Sequence, residues 1–260
     1  MKTIAIMNNK GGVGKTVTAI NLADILTHDY HKRVVLVDCD GQMNLTRFYQ
    51  PEFDPEESLN IANVLEGSSE PVWSDNLTPI SPGLEILPAS TALYRLDVDS
   101  IKQGNFTLCT LRDFKDCAAE DAETDYFIFD CPPGFTAASC AALMASDEVV
   151  IPMLVDGFSM TGMVDMAAQV GSMRKANAKI RIAGVLVTQW HRTDAVIQGE
   201  SLLRSLSVPV FKTVIRRTDK IPESTFDRSP IRDYSPGSAA SQDYRAWVRE
   251  LLGEEKTGND

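Results

Sequence analysis

The stretch that decides the fold is TIAIMNNKGGVGKTVTAI, residues 3–20. It joins an apolar run with the pattern of a β-strand to a run with the pattern of a helix, through a short glycine-rich segment. That segment is a shortened form of the G-x-x-x-x-G-K-[ST] phosphate-binding signature, with Asn9 at the first glycine position and Gly14, Lys15 and Thr16 at its end. Strand, loop and helix follow in the order the signature requires, so we predict a phosphate-binding loop.

The residue types in this loop suit a nucleoside triphosphate. Glycines let successive backbone N–H groups approach phosphate oxygens, and the following helix directs its positive end at the same place. Lys15 is expected to neutralise the β- and γ-phosphates, and the Thr16 hydroxyl to coordinate Mg²⁺. The alternative is a glycine turn that only begins a helix. The longer pattern favours an ATP site that uses magnesium.

Lys10, directly before the glycines, is not required by an ordinary phosphate loop. If its side chain folded back onto the same phosphates it would duplicate Lys15. A lysine that projects from the loop instead reaches phosphates held by a second subunit, as an arginine finger does. A solvated surface lysine is the alternative.

Apolar β runs alternate with helical stretches along the chain, which predicts an α/β fold of the P-loop NTPase type, a mostly parallel twisted sheet with helices on both faces. We expect residues 67–83 and 212–235 to form long ordered loops. The predicted strands are residues 3–7, 34–38, 84–87, 126–130, 148–152, 182–187 and 208–211. The predicted helices are residues 15–28, 57–66, 107–119, 136–145, 160–176, 195–206 and 238–252.

Two predicted strands end in aspartate, VVLVDCD at Asp38 and YFIFDCPPG at Asp130. Ligands of an open α/β sheet collect at the carboxyl ends of its strands, so we expect Asp130 to lie beside the metal. Asp40 lies beyond its strand end and is a candidate to orient or deprotonate the attacking water. Asp38 is expected to be structural. Asp130 and Asp40 each have the alternative role of capping the segment that follows.

Composition sets the broad class. The 260 residues, 43% of them hydrophobic, predict a single ATPase domain over residues 1–260, with residues 254–260 as a frayed tail. The chain opens without the apolar core of a signal peptide, so a cytoplasmic protein is expected. Five cysteines without a C-x-x-C pair disfavour a disulfide framework and a zinc site. The net charge is −11, yet residues 174–233 hold 12 Lys or Arg against 6 Asp or Glu, which allows one basic face.

KGGVGKT, DCDGQMN and FDCPPG, in this order, resemble the ParA/MinD group of deviant Walker ATPases, and the short Soj-type ParA proteins most. The resemblance implies an ATP-dependent sandwich homodimer in which Lys10 contacts the partner subunit's phosphates. It also implies that Asp40 assists hydrolysis, that Asp130 supports Mg²⁺ through water, and that Thr16 and Asp40 belong to the same metal site. The implied nucleotide-binding residues are Lys10, Gly11, Gly12, Val13, Gly14, Lys15, Thr16, Val17, Thr188, Arg216 and Arg217.

The resemblance further implies non-specific DNA binding by the ATP-bound dimer, association with the nucleoid in that state, and a ParB-like partner that stimulates turnover. Candidates for the DNA contacts, chosen because such affinity is mostly charge neutralisation, are Arg192, Arg204, Arg216, Arg217 and Lys220. The chain departs from the family pattern where DPQGN is DGQMN, where Val17 replaces a common threonine, and at Arg216, where the family has proline.

Other readings remain open. A MinD-like positioning ATPase needs a basic amphipathic terminal helix, whereas residues 246–260 end acidic; no membrane partner is therefore expected. A redox partner of the nitrogenase-reductase type would need cluster ligands, for which Cys131 and Cys140 are the candidates. A tyrosine kinase would need a tyrosine-rich tail. The DGQMN departure also leaves open a nucleotide-binding switch with little hydrolysis.

Overall fold

The computed structural model describes residues 1–67, 76–103, 110–120, 124–157 and 159–254. Within them, seven strands form one sheet in the order β3-β4-β2-β5-β1-β6-β7. All pairs are parallel except β3 with β4. The strands are β1 Lys2–Ile6, β2 Val34–Asp38, β3 Thr78–Ser81, β4 Leu84–Leu87, β5 Tyr126–Asp130, β6 Glu148–Met153 and β7 Arg181–Val187.

Helices cover both faces of this sheet. Alternate side chains of a strand point to opposite faces, and the central strands divide their side chains in this way. Ala5 and Phe129 belong to one buried apolar cluster, while Ile4, Ile6 and Ile128 belong to another on the opposite face. The two cores explain why the central strands are apolar almost throughout. The predicted fold class is confirmed.

The helices follow the predicted alternation with the strands. Their bounds are α1 Lys15–His28, α2 Asn44–Tyr49, α3 Ile61–Glu66, α4 Ala92–Gln103, α5 Thr110–Glu120, α6 Ala137–Ala145, α7 Ser159–Met173, α8 Asp194–Ser205, α9 Lys220–Phe226, α10 Ile231–Tyr234 and α11 Ala239–Leu251. Helix α1 has the predicted bounds. Helix α3 begins at Ile61 rather than at residue 57, because the Asn60 side chain accepts a hydrogen bond from Ala62 N and caps the helix there.

Three expectations about connecting segments were wrong. The region expected as a loop at 212–235 contains α9 and α10, since Pro222 lies in the first turn of α9, where proline is tolerated. The expected strand at 208–211 forms only one bridge, between Val185 and Val210, because Pro209 has no N–H to extend the ladder. Strand β3 lies in the segment expected as a loop at 67–83. Parts of three predicted segments are outside the described residues: 68–75 of this loop, 107–109 of a predicted helix and 255–260 of the predicted tail.

The topology sets the place of the site. Strands β1, β2, β5, β6 and β7 run in one direction, so their carboxyl ends meet at one edge of the sheet. The loop before α1 leaves β1 at this edge. Asp38 and Asp130 are paired across β2 and β5 at the same edge. The residues singled out in the sequence are thereby brought together.

Candidate active site

The loop between β1 and α1 has the backbone of a phosphate cradle. Gly12 and Gly14 adopt positive φ angles of 72° and 89°, a conformation that side chains strongly disfavour. Gly14 is the N-cap of α1 and makes no side-chain capping bond, and the first turn of α1 contains no acidic residue. The amino end of this helix is therefore available to an anion.

Side chains hold three carbonyl oxygens of this loop. Lys15 Nζ donates to Lys10 O at 2.9 Å, Gln189 Nε2 to Gly12 O at 3.0 Å, and Thr188 Oγ1 to Val13 O at 2.8 Å. In a trans peptide the N–H points away from the carbonyl oxygen of the same unit. The N–H groups that follow these three carbonyls are accordingly turned away from the side chains that hold the loop.

Lys15 is the buried cation of the site. Its side chain belongs to a residue that is only 8% exposed, and burial lowers the pKa of its ammonium group, against the raising effect of Asp130. Its Nζ is held by Lys10 O, so the charge is placed inside the loop before any ligand arrives. A fixed ammonium beneath a glycine-rich turn is suited to a polyphosphate.

Asp130 has the environment of a site carboxylate. It is 1% exposed, and its Oδ1 atom has no hydrogen-bond partner among the described residues. Burial, with the nearby Asp38 carboxylate, raises the pKa of Asp130 well above its ordinary value, while a hydrogen bond from Thr16 and the charge of Lys15 act in the opposite direction. A buried, partly unsatisfied carboxylate beside a threonine hydroxyl fits a hydrated Mg²⁺.

Asp38 is satisfied by its own surroundings. Its Oδ2 accepts from Thr46 N at 2.8 Å and Thr46 Oγ1 at 2.7 Å, and its Oδ1 accepts from Asp40 N at 3.1 Å. Burial nevertheless raises the pKa of Asp38 to about 6. These bonds fix the start of the turn that carries Asp40, in agreement with the structural role expected for Asp38.

Asp40 lies on the turn after β2. Its Oδ1 accepts from Gln42 N at 2.9 Å and its carbonyl oxygen accepts from Met43 N at 2.8 Å. Met43 adopts a positive φ of 59° at the start of α2 and is buried. At this position the family pattern has glycine. Apolar burial of the methionine side chain offsets a conformational cost of about 1 kcal/mol for a non-glycine residue.

A cavity of about 640 Å³ opens beside the loop, within the usual range for a ligand site. Its walls include the loop itself, Asp40, Thr188 and Arg217, all predicted from the sequence. Lys10, Val13, Asp130 and Arg216 were also predicted but are not among the residues that line it. The wall further contains residues that the sequence reasoning missed, namely Gln42, Asn44, Pro133, Gln189, Ile215, Thr218, Asp219, Ile221, Pro222, Thr225 and Tyr244.

The Lys10 side chain is partly exposed and forms an ion pair within its own chain. Its Nζ donates to Asp156 Oδ1 at 2.8 Å and to Ser159 Oγ at 3.0 Å. Both groups belong to the same chain: Asp156 lies between β6 and α7, and Ser159 is the first residue of α7. The two lysine ammonium groups thus have different partners, since Lys15 Nζ donates to Lys10 O.

Arg216 and Arg217, which are adjacent in sequence, make different contacts. The Arg216 guanidinium donates to both carboxylate oxygens of Asp243 on α11, at 2.7 to 3.1 Å. Arg217 lines the cavity, and its backbone N donates to Trp190 O at 2.8 Å. Arg216 thus ties this segment to α11, whereas Arg217 offers its side chain to a ligand.

The other candidate DNA contacts also differ in whether their side chains are already paired within the chain. Arg204 donates to Glu200 Oε1 and to Phe211 O, and Lys220 pairs with Glu223 at 2.6 Å. Arg192 is exposed and has no hydrogen bond or ion pair with the described residues. None of the three lines the cavity.

Two other kinds of feature are absent from the described residues, a further metal site and a membrane-spanning helix. No group of three or more His, Cys, Asp and Glu side chains is arranged to hold a metal ion. Among these residues, no helix combines the length and the apolar character that crossing a membrane requires.

The chain is similar in sequence to proteins of a known family. A family model described as an AAA domain matches residues 1–182, more than half of the chain. The sporulation initiation inhibitor protein Soj of Bacillus subtilis is 32% identical over 253 residues, which cover 96% of this chain and 98% of Soj. The chain belongs to the ParA/MinD family. The resemblance inferred from KGGVGKT, DCDGQMN and FDCPPG is confirmed, and with it a nucleotide-binding P-loop fold.

Two further matches extend over nearly the whole chain. The chromosome partitioning protein ParA of Caulobacter vibrioides is 27% identical over 259 residues, covering 98% of this chain and 96% of that protein. Among solved structures, the ATP complex of a Cyanothece McdA variant is similar with a TM-score of 0.85 at 21% identity, over 100% of this chain and 99% of the other. This likeness shows that the two chains share one fold over nearly their whole length.

Proposed function

We propose that this chain is an Mg²⁺-dependent ATPase of the partition type, acting as one domain over residues 1–260. The observation that carries the proposal is the buried Lys15 inside a loop whose peptide units are held by Thr188 and Gln189. The positive end of α1 and the Lys15 ammonium bind the phosphates of ATP. The remainder of the 640 Å³ cavity, toward Ile215 and Pro222, accepts the nucleoside.

Thr16 and Asp130 would hold the magnesium ion. The orphaned Oδ1 of Asp130 is suited to accept a hydrogen bond from a metal-bound water, and the Thr16 hydroxyl lies beside the same carboxylate. When bound, the ion neutralises charge on the β- and γ-phosphates. Asp130 then gains the partner that its buried oxygen lacks among the described residues.

Asp40 acts on the attacking water. Its carboxylate lines the cavity and is oriented by Gln42 N. It accepts the proton of a water whose oxygen forms a bond to the γ-phosphorus, while the bond to the β–γ bridging oxygen breaks. The products are ADP and phosphate, and Lys15 stabilises the charge that develops between them.

ATP binding is coupled to assembly and DNA binding. We infer that Lys10 leaves Asp156 and reaches the phosphates held by a second copy of the chain, which gives a sandwich homodimer. The dimer binds DNA non-specifically, with Arg192 and Arg217, both exposed and without a side-chain ion pair among the described residues, as candidates to contact DNA phosphates, and associates with the nucleoid in this state. A ParB-like protein stimulates hydrolysis and release. The name of the similar Caulobacter vibrioides protein, chromosome partitioning protein ParA, supports a role in partition.

The experiment that tests the function compares Asp40→Ala with Lys15→Ala by size-exclusion chromatography in Mg-ATP. The first variant binds but does not hydrolyse ATP, so it should elute as a dimer, whereas the second should remain a monomer. Lys179→Ala, which changes an exposed lysine outside the site, is the control. Phosphate release by the wild type equal to that of Asp40→Ala would contradict the ATPase and favour a nucleotide-binding switch.

A further inference from the structure

The turn after Asp40 is covered by a side chain from α4. A methyl group placed on Gly41 would lie 2.8 Å from Cζ of Tyr94, which is inside van der Waals contact. Gly41 is not among the residues with positive φ, so its backbone conformation does not require glycine. Space for the Tyr94 ring is therefore the structural reason for glycine at this position, where the family pattern has proline.

Tyr94 also contacts the residue after Gly41. Its hydroxyl accepts a hydrogen bond from Gln42 Nε2 at 2.5 Å, and Gln42 N in turn donates to Asp40 Oδ1 at 2.9 Å. One side chain thus covers the backbone at Gly41 and holds the residue that orients the Asp40 carboxylate. Tyr94 itself does not line the cavity.

The same helix contacts the segment that follows Asp130. Asp97 Oδ1 accepts from Ala137 N, the first residue of α6, at 2.7 Å. Tyr94 and Asp97 are three residues apart, which places them on one side of α4. Helix α4 therefore joins the Asp40 turn to the start of the helix after the proline-containing segment at 131–136.

We propose that Tyr94 is a positioning residue for ATP hydrolysis, which holds the Asp40–Gln42 turn in the geometry that water activation needs. The proposal rests on the hydrolytic role proposed for Asp40. Freedom at the turn allows the carboxylate to leave the attacking position, so the loss falls on the chemical step and not on nucleotide binding. Glycine at position 41 is required for this contact, since a side chain there would displace the Tyr94 ring.

The test is a comparison of Tyr94→Ala, Tyr94→Phe and Gly41→Ala, each with kcat, KM and the affinity for a fluorescent ATP analogue. Tyr94 is 47% exposed, so these variants should fold. We expect kcat to fall about 3- to 10-fold in Tyr94→Ala and Gly41→Ala, with affinity within about twofold of wild type. Tyr94→Phe keeps the ring and loses the hydroxyl, so its kcat should lie between those of the wild type and Tyr94→Ala.

Val98→Ala is the matched control, because Val98 is 48% exposed on the next turn of α4 and is four residues from Tyr94. Its kcat should equal that of the wild type. The double variant Gly41→Ala/Tyr94→Ala should be no slower than the slower single variant, because both changes remove one contact. Additive losses, or a kcat unchanged in Tyr94→Ala, would overturn the proposal. A wild-type rate equal to that of Asp40→Ala would instead overturn the proposed function and this role with it.

Discussion

Asp38 and Asp130 lie opposite each other as the last residues of β2 and β5, two neighbouring parallel strands. Both are almost fully buried, with 0% and 1% exposure. They differ in their partners: three hydrogen bonds satisfy Asp38, whereas Asp130 Oδ1 has none among the described residues. Asp38 therefore fixes the structure around the site, whereas Asp130 Oδ1 can accept a hydrogen bond from a ligand.

This pair makes stability depend on pH in the absence of nucleotide. Burial raises the pKa of folded Asp38 from 3.8 to about 6, so the folded protein keeps its proton where the unfolded chain has lost it. The free energy of unfolding should therefore fall as pH rises through this window, by up to about 1.4 kcal/mol per pH unit for one group. Urea unfolding between these pH values should show a smaller fall in Asp38→Asn. Parallel curves for the two proteins would contradict this account.

Asp130→Asn should separate stability from function. Removing a buried carboxylate with an unsatisfied oxygen should leave the nucleotide-free protein as stable as the wild type or more stable at neutral pH. The same change should abolish most of the gain in ATP affinity that Mg²⁺ gives the wild type. Thermal unfolding and titration of a fluorescent ATP analogue, each with Mg²⁺ or EDTA, measure the two effects. An unchanged magnesium dependence would remove Asp130 from the metal site.

The parts of the site that the sequence predicted are those encoded locally. The apolar runs that end at Asp38 and Asp130 identify buried strands, and the parallel arrangement places their ends together. The phosphate loop is contiguous, so its spacing alone indicates Lys15 and Thr16. The predicted boundary between this loop and α1, at Lys15, agrees with the structure.

The parts that were missed depend on contacts distant in sequence or on helices without the usual signals. Helix α2 begins at Asn44, and its N-cap residue, Met43, provides no side-chain cap. The proline content of 212–235 concealed α9 and α10. The fit of Tyr94 against Gly41 joins residues more than fifty positions apart. No local pattern reports such a contact, so the glycine was recognised only as a departure from the family.

Lys10 must break its contact with Asp156 if it acts on a second subunit. Asp156→Ala removes that ion pair, which is partly exposed and worth about 0.2–1 kcal/mol. We expect ATP-dependent dimerisation to occur at a modestly lower protein concentration, and Lys10→Ala to dimerise poorly. Sedimentation across a concentration series in Mg-ATP, with Asp165→Ala on exposed α7 surface as control, provides the measurement. Weaker dimerisation of Asp156→Ala than of this control would indicate that Asp156 itself belongs to the dimer interface.

Arg216 should act through structure and not through the nucleotide directly. Its bidentate contact with Asp243 ties the segment before α9 to α11, and Asp243 is only 9% exposed. Arg216→Ala leaves that carboxylate without its guanidinium, so we expect about 1 kcal/mol of destabilisation because the arginine is partly exposed. Arg217→Ala should instead weaken nucleotide binding with little change in stability. Denaturant unfolding and nucleotide titration of both variants distinguish the two residues, and identical profiles would contradict the assignment.

DNA binding should distinguish Arg192 from Arg204 although both are arginines of the basic segment. The Arg192 side chain is exposed and unpaired among the described residues, whereas Arg204 is neutralised by Glu200 and anchored to Phe211 O. A cation that neutralises one phosphate contributes about one unit to the slope of log affinity against log salt concentration. Arg192→Ala in the Asp40→Ala background should therefore lower DNA affinity and reduce this slope, without changing ATP affinity.

Arg204→Ala should mainly lower the melting temperature, because it releases the end of α8 from residues 211–212. Fluorescence anisotropy with an arbitrary DNA duplex at several salt concentrations measures the slope. Equal losses of DNA affinity in both variants, with unchanged melting temperatures, would mean that the Glu200 pair opens on binding and that both arginines face the DNA.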